Sequence, residues 1–239
     1  IKHRGPDGQG VLRVGNCILG HVRLSIVDVT GGAQPMVNER GDLAVIFNGE
    51  IYNYVELREE LLAKGHRFAT HSDTEVIVHA YEEYGIECLQ KFRGMFAFAL
   101  WCRDSRELVL ARDRFGEKPL FVAETPDGIV FGSELASILA YPGFTDAADD
   151  AAIDLFLQLS YIPEPLTPFR HVRKLPAGHI ARLKPGDREM VPRPYWSAIE
   201  VAVAARREAV AARADSGEIV AAIAERLQRV VANQMIADV

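Results

Sequence analysis

The sequence predicts an α+β protein in which antiparallel strands are covered by helices. Three observations carry this. Short apolar runs recur between residues 16 and 133, the links between the later runs are brief, and the helical segments carry recognisable caps and stops. Four-residue links cannot join parallel strands, which need a crossover of a dozen residues or more.

In chain order, "HRGPDG" (3–8) is turn-rich, and "NCILGHVRLSIVDV" (16–29) and "DLAVIF" (42–47) are strand-like. Asn48-Gly49 follows, the commonest two-residue signal for a tight hairpin. Yet the next segment has helical periodicity. Asn53 is placed to cap a helix over 54–64, with Val55, Leu57, Leu61 and Leu62 apolar and Gly65 as the stop. Ser72 and Glu75 form an S-x-x-E capping box for "DTEVIVHAYEEYG", which ends at Gly85. A short helix fits 86–93. The runs at 95–102, 107–113, 119–124 and 128–133 are linked through turn-like "RDSR" (103–106) and "TPDG" (125–128), which predicts a meander across 95–133. Helices fit 133–141 and 150–160. Four prolines between 163 and 178 mark an extended connection, and 179–191 reads as a final hairpin. The Ala-rich stretch 198–217 is a helix or a linker. From Glu218 to 235 an amphipathic helix aligns Ile219, Val220, Ile223, Leu227, Val230 and Val231, with Asp215 or Ser216 as its cap. The main domain is therefore placed at 1–190, and 191–239 is read as a linker and the start of another.

The chain of 239 residues is 49% hydrophobic and 25% charged, enough apolar content for a sizeable core. A net charge of -6 argues against nucleic acid or an anionic membrane as the main partner. The longest apolar stretch, 95–102, is too short to cross a bilayer. The chain opens on Ile1 rather than Met, so it is expected to be a piece of something longer. Cys17, Cys88 and Cys102 are odd in number and widely spaced, with no C-x-x-C pair, so no metal site is expected of them. They fit reduced thiols packed as small hydrophobes in a cytoplasmic setting.

Three polar features offer chemistry. Arg23 interrupts a strand-like run, Asn48-Gly49-Glu50 follows another, and Asp73 opens a helix. A guanidinium and a carboxylate together suit a free α-amino acid, gripping its carboxylate and its ammonium. An Asn amide beside a Gly N–H is the composition of an oxyanion hole. Singly, each has a plainer role: a solvated Arg, a turn, an acidic residue at a helix N-terminus.

Together, "HRGPDGQG", "GHVRLSIVDV", "VIFNGEIYNYVELREEL", "HSDTEVIVHAYEEYG", "RDRFGEKPLF" and "FGSELASIL" resemble, in order, the glutaminase half of glutamine-hydrolysing asparagine synthetase, from Ile1 to about Trp196. The resemblance implies a class II glutamine amidotransferase with the N-terminal nucleophile hydrolase fold, a four-layer αββα sandwich. It implies L-glutamine as substrate, with Arg23 on its carboxylate, Leu24, Ser25, Ile26 and Val27 shaping that wall, and Asp73 on its ammonium. Asn48 and Gly49 become the oxyanion hole beside Glu50, so Asn-Gly makes no hairpin and ends its strand instead. The family's nucleophile is an N-terminal Cys whose α-amine is the general base. It is expected upstream of Ile1, since Cys17, Cys88 and Cys102 are internal, and this stretch alone is expected to be inactive. The helix at 218–235 is expected to begin the ATP-dependent α/β synthetase domain, with the ATP and Mg2+ sites beyond Val239. A homodimer is left open. The alternative is a related amidotransferase acting on another carboxylate, as in surface-polysaccharide or natural-product biosynthesis.

Overall fold

The largest sheet is built on the run that alternates least. Residues 94–102 form β5 (Gly94–Cys102), and nearly every side chain from Phe96 to Trp101 is buried because both faces of the strand are covered. The structure, a computed structural model, describes residues 1–145, 147–211 and 216–235. β5 pairs antiparallel with β4 (Leu43–Ile51) on one side and β6 (Glu107–Arg112) on the other. The sheet is completed by β3 (Met36–Val37), β10 (His179–Leu183) and β11 (Arg193–Pro194), in the order β11-β10-β6-β5-β4-β3.

One face of this sheet packs on α1 (Tyr54–Ala63), α2 (Asp73–Tyr84) and the short α3 (Cys88–Lys91). There Val45, Phe47 and Ile51 of β4 join Leu57, Leu61, Val76 and Ile77. The other face, with Ala44, Ala97, Ala99 and Trp101, packs on a second layer of strands. That layer has two pieces: β1 (Gly8–Val14) with β2 (Cys17–Arg23), and β7 (Phe121–Thr125) flanked by β8 (Gly128–Gly132) and β9 (Val172–Lys174). Beyond it α4 (Leu135–Leu139) buries Ile138 against Ala123 and Val172. The expected αββα layering is what forms. α5 (Asp150–Leu159) is capped by Asp149, which accepts from the Ala152 N–H. The chain ends in α6 (Ala198–Ala211) and α7 (Ser216–Gln234), whose residues Ile219, Ile223, Leu227, Val230 and Val231 are exposed. Of the two caps expected for α7, Asp215 lies outside the described residues.

Several expectations are corrected. Residues 8–14 form a strand, in register with β2 from Gly8↔Arg23 to Val14↔Cys17. Its glycines and exposed side chains hid it. The run at 16–29 stops at Arg23. The meander breaks at 113–120, because β6 pairs with β10 while β7 pairs with β8 and β9. The crossing is anchored by buried Asp113, which accepts from the N–H groups of Phe96, Phe115, Glu117 and Lys118. Beside it Arg112 donates to the carbonyls of Lys118, Gly116 and Leu175. Asn53 stands before α1 but makes no capping bond. Its amide instead joins the Lys91 carbonyl to the Arg93 N–H. The capping box is half made: Ser72 accepts from Thr74, while Glu75 turns to the N–H groups of Ala69 and Thr70. β10 finds its partner at 193–194, two residues past the expected hairpin.

Candidate active site

β3 is only two residues long, and this shortness creates the site. Its register sets Met36 against Val45, so the next pairs would be Pro35 with Ile46 and Gln34 with Phe47. The ladder stops at Met36, and Gln34 offers β4 its side chain in place of its backbone. The outer edge of β4 beyond Val45 must find other partners. The Phe47 N–H donates to the side-chain Oε1 of Gln34 at 2.7 Å, and the Ile51 N–H donates to Asp73 Oδ2 at 3.0 Å. Gly49 lies between them on the same edge. Its β5 neighbour Phe96 exchanges its N–H and carbonyl with Asp113 on the far side, so Gly49 and Phe96 face each other as a non-hydrogen-bonded pair. The Gly49 N–H therefore points away from β5, at the edge where Gly49 lines a cavity of about 930 Å³. A side chain here would collide with the Met95 carbonyl, and Gly49 has φ 150°. Only glycine fits.

The Asn-Gly pair thus lies inside β4, with Asn48 opposite Ala97, and does not end the strand. Asn48 falls on the inter-sheet face in line with Ala44 and Ile46, and its Nδ2 reaches Ser133 Oγ at 3.4 Å, just past the end of β8. Glu50 shares that face and also lines the cavity.

Asp73 opens α2, almost wholly buried, with the Ser72 hydroxyl 3.5 Å from its Oδ1. Burial pushes its carboxyl up to about 6, and the Glu50 carboxylate adds to this, against the pull of the Ile51 and Thr74 N–H groups. The Asp73 carboxyl thus lies in the field of a second carboxylate, that of Glu50.

Arg23 ends β2. Its guanidinium donates to the carbonyls of Val27 (2.9 Å), Asp28 (2.6 Å) and Val29 (3.1 Å), which fixes the plane of the fork. The same loop is tied to the Asp73 side of the cavity, because Asp28 Oδ2 accepts from the His71 N–H at 2.8 Å. A Cβ on Gly32 would strike the Arg23 guanidinium and crowd the Ser72 hydroxyl, so both groups abut one glycine.

Of the residues expected here, Arg23, Leu24, Ile26, Val27, Asn48, Gly49, Glu50 and Asp73 line one cavity. Ser25 is outside its lining, its N–H given to Asp7 Oδ2. Gln34, Gly32 and Ser133 belong to the site and were missed. The Gln-Pro dipeptide beside a two-residue strand was the available signal for Gln34. Cys17 also lines the cavity, but burial pushes its thiol up to about 11, and that of Cys88 to about 12. An activated thiolate needs the opposite shift.

A family model described as a glutamine amidotransferase domain matches residues 1–196. Among curated proteins, the chain is 41% identical over 198 residues to asparagine synthetase [glutamine-hydrolyzing] 1 of Bacillus subtilis, covering 83% of this chain and 31% of that protein. It is 44% identical over 197 residues to a putative asparagine synthetase [glutamine-hydrolyzing] of Mycobacterium tuberculosis, covering 77% and 30%. The chain thus spans about a third of the length of these relatives. Among solved structures, a glutamine phosphoribosylpyrophosphate amidotransferase from B. subtilis superimposes with a TM-score of 0.58 at 21% identity, over 82% of this chain and 44% of that one. This last likeness concerns the fold.

Proposed function

Because the chain belongs to the glutamine amidotransferase domain family, we propose that the cavity binds L-glutamine and that its side-chain amide is hydrolysed there to release ammonia. The observation that carries this reading is the outer edge of β4. Gln34 and Asp73 take the N–H groups on either side, Gly49 presents its own between them, and the Asn48 amide stands on the adjoining face. A tetrahedral oxyanion placed there receives two converging donors. Arg23 receives the α-carboxylate, and Asp73 with Glu50 receives the α-ammonium, whose charge offsets the repulsion between the two carboxylates.

In this reading a thiolate adds to the amide carbon and the carbonyl electrons move to oxygen. The C–N bond then breaks as the nitrogen takes the proton that the Cys α-amine had removed from the thiol, ammonia leaves, and water cleaves the thioester to glutamate. The nucleophile is an N-terminal Cys preceding Ile1 rather than Cys17 or Cys88, whose pKa values move the wrong way. An extended segment bearing it has a place to lie, since the cavity is lined by both β2 and β8, each with one edge unpaired among the described strands.

The ammonia is used in a second domain, which forms L-asparagine from L-aspartate through an acyl-adenylate, and the likeness to asparagine synthetases favours aspartate over other acceptors. The domain boundary falls near 190, and α7 opens the second domain, which covers its exposed apolar row. ATP and Mg2+ belong to that domain.

The test is Arg23→Lys in the full-length protein. A lysine has one nitrogen where the guanidinium has three, so it cannot keep the Val27, Asp28 and Val29 carbonyls and still meet the carboxylate, and the KM for glutamine should rise at least tenfold while asparagine formation from free ammonia survives. An unchanged glutamine KM refutes the assignment.

A further inference from the structure

We propose that His66, His79 and Glu82 form a second site, for a divalent transition-metal ion of the zinc class. These residues play no part in the cavity. His79 and Glu82 stand three apart on α2 and so share a face, while His66 comes from the connection between α1 and α2. One ligand atom from each lies within 4.8 Å of the other two. His79 Nδ1 is 2.8 Å from Glu82 Oε2, and His66 Nδ1 is 3.5 Å from the same oxygen. Tetrahedral coordination at metal–ligand bonds near 2 Å sets ligand atoms roughly 3.3 Å apart, so small side-chain shifts admit an ion.

The surroundings argue for more than a chance cluster. Ligand imidazoles characteristically turn their other nitrogen to a carboxylate, which fixes tautomer and ring. Both do so here: His66 Nε2 lies 3.3 Å from Glu83 Oε2, and His79 Nε2 lies 3.7 Å from Glu75 Oε1. Glu82 is oriented too, since its Oε1 accepts from Asn38 Nδ2 at 2.7 Å, leaving Oε2 toward the rings. Phe68 packs edge-on against the His79 ring, their centroids 4.5 Å apart. His66 and Glu82 line a surface depression of about 690 Å³ that also receives Glu39, and buried His79 lies beneath. Glu39, Glu75, Glu82 and Glu83 surround the two imidazoles, and of the cations nearby Lys64 is paired with Glu83 and Arg40 with Asp42, while Arg67 also lines the depression. Three protein ligands leave one position for water at the opening, and two imidazoles with a carboxylate suit zinc over magnesium or calcium. Bound there, the ion would clip the connection that leads to Ser72 and Asp73 onto α2. The expectation of no metal site rested on the cysteine spacing and on the lack of a His cluster near them, whereas these imidazoles are thirteen positions apart and meet only through the fold.

The test is calorimetric titration of the chelator-treated, untagged protein with zinc alone at pH 7.5, followed by thermal denaturation with and without zinc. Wild type should take up one zinc per chain with a raised Tm. His66→Gln, on the rim of the depression, should weaken uptake at least tenfold, and Glu83→Gln should weaken it by roughly tenfold through the outer contact. Circular dichroism of each variant establishes that it is folded. Absence of saturable uptake overturns the proposal, because the cluster is then a network of carboxylates around imidazoles. Uptake unchanged in both His66→Gln and Glu82→Gln overturns it too, as does equal affinity for magnesium.

Discussion

Asp73→Asn should stabilise the protein while destroying recognition of its substrate. The carboxyl is buried, and its pKa moves from an ordinary 3.8 to about 6. Below pH 4 the group is protonated in both folded and unfolded states and contributes nothing. Between pH 4 and 6 the unfolded chain releases the proton while the folded one holds it, so stability falls as pH rises. Above pH 6 the full cost is present, and two pKa units at about 1.4 kcal/mol each make it roughly 3 kcal/mol. Asparagine is the isosteric neutral form and still offers an oxygen to the Ile51 N–H. In urea denaturation without glutamine, the variant should match wild type near pH 4 and exceed it by about 2–3 kcal/mol at pH 8, which is on the order of 5–10 °C in Tm for a chain of this size. Wild type should gain stability from glutamine at pH 8 and the variant should not. A variant that is no more stable at pH 8 than at pH 4, relative to wild type, refutes the argument that Asp73 is a desolvated, cation-seeking carboxylate.

The same carboxylate should make glutamine-dependent kcat/KM fall on the acid side of pH 6, a profile that Asp73→Asn removes and a stopped-pH assay resolves. Asn48→Ala should lower glutaminase kcat by roughly a hundredfold with little change in KM, the loss expected of one oxyanion donor. A lost KM with intact turnover would make Asn48 a ground-state contact instead. Asp113→Ala strips a buried acceptor from the four N–H groups of Phe96, Phe115, Glu117 and Lys118. It should cost on the order of 3 kcal/mol or more in urea denaturation; a loss below 1 kcal/mol would mean that water replaces the carboxylate.

Helices were legible because their signals are local: Ser72 caps α2, and Gly65 and Gly85 follow α1 and α2 as expected. The strand runs at β4 to β8 were legible as apolar stretches, yet their pairing was not. The meander failed at 113–120 because nothing local tells that Asp113 collects N–H groups from both sides of a crossing. β1 was invisible for the opposite reason, since Gly8 and Gly10 carry no β-propensity and Val11 is exposed. In the site, the residues found were those whose types carry charge or a donor, while Gln34 and Gly32 act through an edge bond and a close approach that only coordinates express.

The Asn-Gly pair makes no hairpin, as expected, but it lies within β4 and does not end it. A hairpin signal and an oxyanion-hole composition draw on the same two properties, a side-chain amide and a residue without Cβ. What separates them is whether the strand's outer N–H groups are already taken. Had β3 been four residues longer toward its N-terminal side, its backbone would have paired with Phe47 and Gly49, and no donor would face the cavity. The ladder ends at Met36 instead, and Gln34 uses its side chain to satisfy Phe47 alone. The next N–H along, that of Gly49, is the one left over. The binding edge thus follows from an edge strand that is only two residues long. Gly49→Ala would drive a methyl against the Met95 carbonyl and shift this edge, and glutamine turnover should fall at least a hundredfold. Turnover kept in such a variant would show that the Gly49 N–H is not what the substrate uses.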